Sequence, residues 1–356
     1  MANEPIEDSP PHNTGRRRFL KHLGAVGATL AASELLAAPA KGQEKTPPAK
    51  GSVPRRVFGR TGVPVSILGV GGHTFATAKT EVEGIRIIHE ALDAGVNFLD
   101  NAWEYHDGRS EEWMGKALKG RRDQAFVMTK VCTHGRDAKV AMLQLEQSLR
   151  RLQTDHLDLW QVHEVIYDND PDLHFAKGGV MEAIAQAKQQ GKVRFVGFTG
   201  HKDPAIHLKM LAHDFPFDAC QMPLGVFDAT FRSFEQKVLP ELNRRGIAPV
   251  GMKSLNGTAD AVKKGVLTAK EALTYVMSLP VATLVSGMDS LEVLHKNLEI
   301  ARTFTPMTPE AMQALRDRCA KHEADGRFEL YKTSKKFDGA PGREHHGFPP
   351  LTAMAD

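Results

Sequence analysis

The chain is poor in cysteine, in charge of one sign and in long apolar runs, and each shortage removes a class of function. Its three cysteines, Cys132, Cys220 and Cys319, lie far apart and are odd in number. That excludes a disulfide framework, a CxxC metal pair and an iron–sulfur module. A net charge of +3 without a basic stripe argues against nucleic acid and against an anionic membrane surface as partners. There is no HxH or HExxH run, and His163-Glu164 has no second histidine four residues on, so no metal site is expected. His345-His346 reads as solvated tail. No GxGxxG opens a strand-turn-helix, because Gly69-Val70-Gly71-Gly72 lacks the third glycine, and a Rossmann cofactor domain is unsupported. What remains, 41% apolar and 25% charged residues, is the composition of an ordinary globular protein.

The first fifty residues stand apart. Arg16-Arg17-Arg18-Phe19-Leu20-Lys21 precedes a weakly apolar stretch rich in Gly and Ala, Leu23 to Leu36, and Ala38-Pro39-Ala40 then offers a small-residue cleavage site. This order is that of an export signal, and the paired arginines look like a twin-arginine signal. The expectation is a signal peptide over residues 1–40, the twin-arginine export machinery as a partner and a periplasmic or exported protein. A leader that is not a signal would leave it cytoplasmic. Glu34 and the glycines leave fewer than the about 18–20 apolar residues a stable membrane span needs. Residues 41–54, with Pro47-Pro48, read as a disordered linker.

From Arg55 the pattern becomes regular. Arg56-Val57-Phe58 and Val63-Pro64-Val65 flank Arg60-Thr61-Gly62 as a hairpin. Eight short apolar runs follow: Ile67–Val70, Val96–Leu99, Phe126–Thr129, Leu157–Val162, Val193–Phe198, Phe217–Met222, Ile247–Met252 and Ala282–Ser286. Helical stripes separate them, among them Ile85, Ile88 and Leu92 ending at Gly95, and Leu145, Leu149 and Leu152 after Asp137. Asp203-Pro204, the Thr268…Glu271 capping box and Ser290 before Leu291, Leu294, Leu298 and Ala301 mark later helix starts. Eight such units close a (β/α)8 TIM barrel over residues 55–321, with an N-terminal hairpin and an added helix, Met307 to Lys321. Residues 322–356 read as a tail of low regularity.

Four residues fall at the C-terminal ends of these runs or in the loop just beyond: Asp100, Tyr105, Lys130 and His163. Parallel strands would bring them to one rim. Singly, each has a plain structural alternative, such as a helix cap, a surface aromatic, a solvated strand end or a satisfied buried histidine. Jointly they make a proton-donating site for a carbonyl. Tyr105 suits the role of general acid if Lys130 brings its ionisation below the ordinary value of about 10. Asp100 would then hold Lys130, and His163 would donate to the carbonyl oxygen. Hydride has to come from a nicotinamide, since no side chain supplies it.

At this point the chain resembles the aldo-keto reductases, from about Arg55 to about Arg302. The resemblance rests on Phe58-Gly59-Arg60-Thr61-Gly62 and Gly69-Val70-Gly71-Gly72. It rests further on Leu99-Asp100-Asn101-Ala102-Trp103-Glu104-Tyr105 with Gly108-Arg109-Ser110-Glu111, and on Thr129-Lys130 and Gln161-Val162-His163. It implies Tyr105 as general acid, tuned by Lys130 and Asp100, with His163 orienting a carbonyl or alcohol substrate. It implies a nicotinamide nucleotide held by Gly71, Gly72, Thr199, His201, Gln221, Met252, Lys253, Ser254, Leu255, Gly257, Gly287, Met288, Lys296 and Asn297. Gly200 replaces the family's asparagine and Met252 its stacking aromatic. NADP is the family's nucleotide; Val293 and Lys296, where an Arg and a Glu often stand, leave NAD open. Phe75, Trp103, Phe227 and Phe231 are expected around the substrate. The competing function is a non-catalytic nucleotide-binding barrel with a regulatory or docking role.

Overall fold

The computed structural model describes residues 51–132, 136–322 and 325–353. The signal expected over residues 1–40 lies outside them, as does the side chain of His345; N-terminal sequencing of exported protein is the measurement that decides the signal. Strands β1 (Arg55–Val57) and β2 (Pro64–Ser66) pair antiparallel as the hairpin. Eight further strands follow: β3 (Leu68–Val70), β4 (Phe98–Leu99), β5 (Phe126–Val131), β6 (Leu157–Val162), β7 (Val193–Thr199), β8 (Ala219–Pro223), β9 (Ala248–Met252) and β10 (Thr283–Ser286). All pair in parallel, and β10 returns to β3 with Leu284 opposite Leu68, closing the barrel. Every residue of β5 and β6 is buried, as expected of strands covered on both faces.

Local chemistry explains where the surrounding helices begin. Thr80 accepts from Glu83 N, Asp137 from Lys139 N and Val140 N, Asp203 from Ala205 N, and Ser290 from Val293 N. Thr268 and Glu271 form a reciprocal capping box. Each such cap stabilises its helix by about 1 kcal/mol. The barrel floor is closed by the hairpin. Phe58 is fully buried, its ring 4.9 Å from Phe126 and 5.9 Å from Phe98, a burial worth about 1.5–3 kcal/mol. Gly59 is required beside it: its φ is +51°, and a Cβ there would lie 2.6 Å from Gly246 O.

Three boundaries differ from expectation. β4 begins at Phe98 because the Asn97 side chain joins the hairpin instead, accepting from Ser66 N at 2.7 Å and donating to Pro64 O at 3.1 Å. The linker ends before Val53, which is buried and donates to Ala94 O at 3.1 Å. The added helix runs Pro309–Cys319 from a Thr308 cap. The segment after it, expected to be of low regularity, instead forms short helices, Leu330–Thr333 and Ala340–His345, and is anchored with Tyr331 and Lys332 buried. Among the described residues, no helix is long and apolar enough to cross a membrane, and no group of three His, Cys, Asp or Glu side chains is arranged to hold a metal.

Two histidines tie the fold to pH. His174 and His207 are fully buried, and burial holds each ring down to about 3. Unfolded, they titrate near 6.5. Between these values the unfolded chain binds more protons, so stability rises with pH across that window. At pH 5, keeping one such ring neutral costs about 2 kcal/mol. His207→Gln is therefore expected to lose less stability than wild type between pH 7 and pH 5, read from urea midpoints. An equal loss in the two proteins would refute this.

Candidate active site

Asp100 follows β4, Lys130 is the penultimate residue of β5, and His163 follows β6, so parallel pairing alone brings them to the C-terminal rim. Lys130 is buried, and its ammonium donates to Asp100 Oδ1 at 2.6 Å, Asn101 O at 2.7 Å and Tyr105 Oη at 3.3 Å. All three of its hydrogens are thereby used. Because Lys130 donates to the phenol oxygen, the phenol's own hydrogen is left for another acceptor. Asp100 also accepts from Gln221 Nε2 at 3.2 Å and Gly72 N at 3.3 Å. Gly72 must be glycine, since a Cβ there would lie 2.3 Å from Asp100 O.

Tyr105 sits on a strained turn. His106, Asp107 and Gly108 are consecutive left-handed residues, with φ of +52°, +57° and +93°. Conformations of this kind persist only when the surroundings impose them. Here His106 Nε2 donates to His73 O at 2.7 Å, and Arg151 donates to Trp103 O at 2.9 Å and Glu111 Oε2 at 3.2 Å. Thr129 Oγ1 donates to the buried Glu111 at 2.6 Å. A Cβ on Gly108 would fall 2.3 Å from Arg151 Cζ. The Gly108…Glu111 motif thus holds the loop that carries the phenol.

The electrostatics correct one expectation. Burial pushes the Tyr105 phenol well above 10, and Asp100, Glu104 and Glu164 push it further. Burial is the largest cause, and the phenol rests protonated. Its neighbour His163 lies edge-on, with ring centroids 5.8 Å apart. His163 Nδ1 is 2.8 Å from Glu104 Oε1, and Nε2 is 4.0 Å from Glu164 Oε2.

His201 is buried before the helix Pro204–Ala212, its Nδ1 2.7 Å from Glu164 Oε2. Burial raises the Glu164 carboxyl, but His201, His163 and Lys253 together hold it well below the usual carboxylate range. The C-terminal segment closes over this pair. Asp338 binds Lys202 at 2.8 Å and lies 3.7 Å from His201 Nε2, and Gly339 N donates to Glu164 Oε1 at 2.9 Å.

The residues expected around a nucleotide line the ends of β7 to β10. Thr199 and Gln221 face each other across β7 and β8, and Met252 ends β9. Lys253, partly buried with φ +58°, sets its ammonium 5.6 Å from the Tyr331 ring and 5.5 Å from the Phe337 ring. Among the described residues no carboxylate lies within ion-pair distance of it. Ser254 is buried beyond it, then come Leu255 and Gly257, the latter against Phe337. Gly71 N donates to Ser286 O, Met288 N to Thr74 Oγ1, and Asn297 Nδ2 to Ser286 Oγ and Gly287 O. Lys296 is a surface residue paired with Glu292 at 2.6 Å. This donor set suits an anionic dinucleotide: an ammonium without a carboxylate partner at the mouth, and the N-terminus of the helix Leu291–Arg302 after β10.

The expected substrate pocket is only partly present. Phe75 is fully buried in the core, and Phe227 is buried beneath Phe328, 5.1 Å between centroids. Phe231 packs under Gly326 and the Lys332 ammonium. Phe227 and the half-buried Phe231 are covered by a later segment of the chain. Trp103 is near the rim, donating to Gln147 Oε1 at 2.6 Å. Sequence reasoning missed Glu104, Glu164, His73, His106 and Asp338. The first two adjoin Tyr105 and His163 in sequence, a signal that was available; Asp338 carried none.

Residues 67–264, more than half the chain, match the family model described as the Aldo/keto reductase family. The chain is 32% identical over 196 residues to the aldo-keto reductase YhdN of Bacillus subtilis, covering 51% of this chain and 55% of that protein. It is 32% identical over 155 residues to L-galactose dehydrogenase of Arabidopsis thaliana, covering 41% and 48%. The match thus spans about half the length of these two relatives. Among solved structures, the aldo-keto reductase AKR11C1 from Bacillus halodurans superposes with a TM-score of 0.64 at 26% identity, covering 75% of this chain and 96% of that one. A closed parallel barrel with a lysine-held phenol at its rim, matched over this span, belongs to the aldo/keto reductase family of oxidoreductases.

Proposed function

We propose that the protein interconverts a carbonyl and an alcohol with a nicotinamide nucleotide, preferring NADP(H), and that Tyr105 is its general acid in reduction. The observation that carries this is the direction of one hydrogen bond: Lys130 Nζ donates to Tyr105 Oη, leaving the phenol proton for the substrate oxygen. The nucleotide, when bound, supplies the hydride. Gln221 and Thr199 would hold its carboxamide, Met252 would offer its ring a polarisable face, and Lys253 and Ser254 would bind its phosphates. That the Bacillus halodurans relative is known in holo and apo forms agrees with a dissociable cofactor.

Tyr105 gives its proton and Lys130, held by Asp100, keeps the phenol oxygen oriented while charge develops on it. The test is a panel of aldehydes, ketones and sugars with NADPH and with NADH, alongside fluorescence titration of each nucleotide. Turnover of at least one carbonyl and a lower Kd for NADPH are expected. A protein that binds the nucleotide yet reduces nothing would be a binding module, and a Kd for NADH equal to that for NADPH would overturn the stated preference.

A further inference from the structure

We propose that residues 333–339 form a strap across the barrel mouth, latched by Lys202 and Asp338, that has to lift for the nicotinamide nucleotide to enter or leave. The inference rests on the nucleotide-binding reading and adds a gate to it. The strap touches the loops after four strands in turn. Phe337 packs on Gly257 beyond β9, where an added Cβ would lie 3.2 Å from Cε1. Asp338 meets Lys202 at 2.8 Å beyond β7. Gly339 N donates to Glu164 Oε1 at 2.9 Å beyond β6. A Cβ on Gly339 would lie 3.0 Å from Glu104 Oε2 beyond β4. Both ends of this span are fixed: Lys332 is buried between Asp228 and Glu329 on one side, and Gly342 packs on Cys132 Sγ on the other.

The strap covers the cation that a phosphate would seek. Lys253 Nζ lies 5.5 Å from the centre of the Phe337 ring and 5.6 Å from that of Tyr331, and the two rings meet edge-on. Both distances allow a cation–π attraction. A diphosphate offers the ammonium a stronger, charge-assisted bond, and Phe337 has to swing aside to admit it. The closed strap also carries a cost. Beneath it, Glu104 Oε2, His201 Nε2 and Asp338 Oδ1 are buried without a hydrogen-bond partner among the described residues. The contact of Lys202 with Asp338 Oδ1 is thus an attraction of charges and not an aligned hydrogen bond. Opening to water relieves such atoms, so the closed form needs a latch. Lys202 supplies most of it, since its ammonium also donates to Ser334 O at 2.7 Å. Tyr167 Oη adds a longer bond to Asp338 Oδ2 at 3.3 Å.

Stopped-flow fluorescence of NADPH with the full chain tests the gate. Lys202→Met removes both holds and strands the Asp338 carboxylate. The strap should then open more often, and the association and dissociation rates should each rise about tenfold. Kd should change much less, because both rates pass the same gate. Adding Asp338→Asn to Lys202→Met removes the stranded charge and should return both rates toward wild type. Phe337→Ala takes the ring off Lys253 without touching the latch. It should also raise both rates, and it carries the test if Lys202→Met does not fold. Wild-type rates in these variants, or a rise in only one of the two rates, overturn the inference. Should wild type bind neither NADPH nor NADH, the functional reading fails, and amide hydrogen exchange still decides the strap. Gly339 N, bonded to Glu164, should exchange faster than Lys332 N, bonded to Glu329 O at 2.7 Å, because the strap opens while its anchor stays closed. Equal exchange of the two amides would show that no strap opens there.

Discussion

Tyr105→Phe is expected to lower kcat for carbonyl reduction by about 100- to 10,000-fold and to leave the Kd for NADPH unchanged. The substitution removes one oxygen and little else. Lys130 keeps its bonds to Asp100 and Asn101 O, so no buried charge is orphaned, and the strained turn after Tyr105 is held by Arg151, Glu111 and His73 rather than by the hydroxyl. A large loss of turnover with intact binding would therefore report chemistry and not folding. Lys130→Met would be a poorer probe, because it strands the Asp100 carboxylate in the rim.

The direction of the phenol's shift adds a second readout. Burial and three carboxylates push it above 10, so it stays protonated through the usual assay range and reduction should show no phenol titration there. Alcohol oxidation needs the deprotonated phenol, and its rate should keep rising to the highest pH the fold tolerates. Stopped-flow hydride transfer in both directions measures this. Full turnover in Tyr105→Phe would move the acid elsewhere, with His163 the nearest candidate.

The barrel was legible in the sequence because its determinants are local. Continuous apolar runs, Asp137, Thr268 and Ser290 as caps, and Gly95 as a stop each act within a few residues. The meeting of Asp100, Tyr105, Lys130 and His163 was legible for the same reason: parallel strands convert position in a run directly into position on a rim. The sign of the Tyr105 shift was not, because it depends first on how deeply the fold buries the phenol and then on the carboxylates gathered around it, and Glu104 and Glu164 arrive from different loops. Nor was the covering of Phe227, which is buried, and of Phe231, which is half-buried, by a segment about a hundred residues later. The helices in the run from Gly326 to Phe348, Leu330–Thr333 and Ala340–His345, are too short to show a period in the sequence, so its docking is carried by single side chains that no pattern announces.

One of those side chains should dominate the stability of that docking. Lys332 is fully buried, with its ammonium 2.6 Å from Asp228 Oδ1, 2.9 Å from Glu329 Oε1 and 2.6 Å from Phe231 O. Burial raises both carboxyls, and Lys332 is the cation that opposes it. Lys332→Met fills similar space but leaves two carboxylates buried without a counter-ion, a loss expected to cost about 3–5 kcal/mol. Urea denaturation followed by circular dichroism reads it. Adding Asp228→Asn and Glu329→Gln to the same chain should restore most of the stability, because the stranded charge is what costs, not the missing ammonium. The sign with pH follows. Carboxyls whose ionisation is raised in the folded state bind more protons there than in the unfolded chain above about pH 4, so the variant's deficit should grow from pH 5 to pH 8. Turnover should fall as well, since Asp338 and Gly339, which bind His201, Lys202 and Glu164, are tethered only a few residues beyond Lys332. A variant within 1 kcal/mol of wild type at pH 8 would show that the segment is held by its apolar contacts, Tyr331 and Phe337 against Gly257 and Lys253, and not by this buried charge cluster.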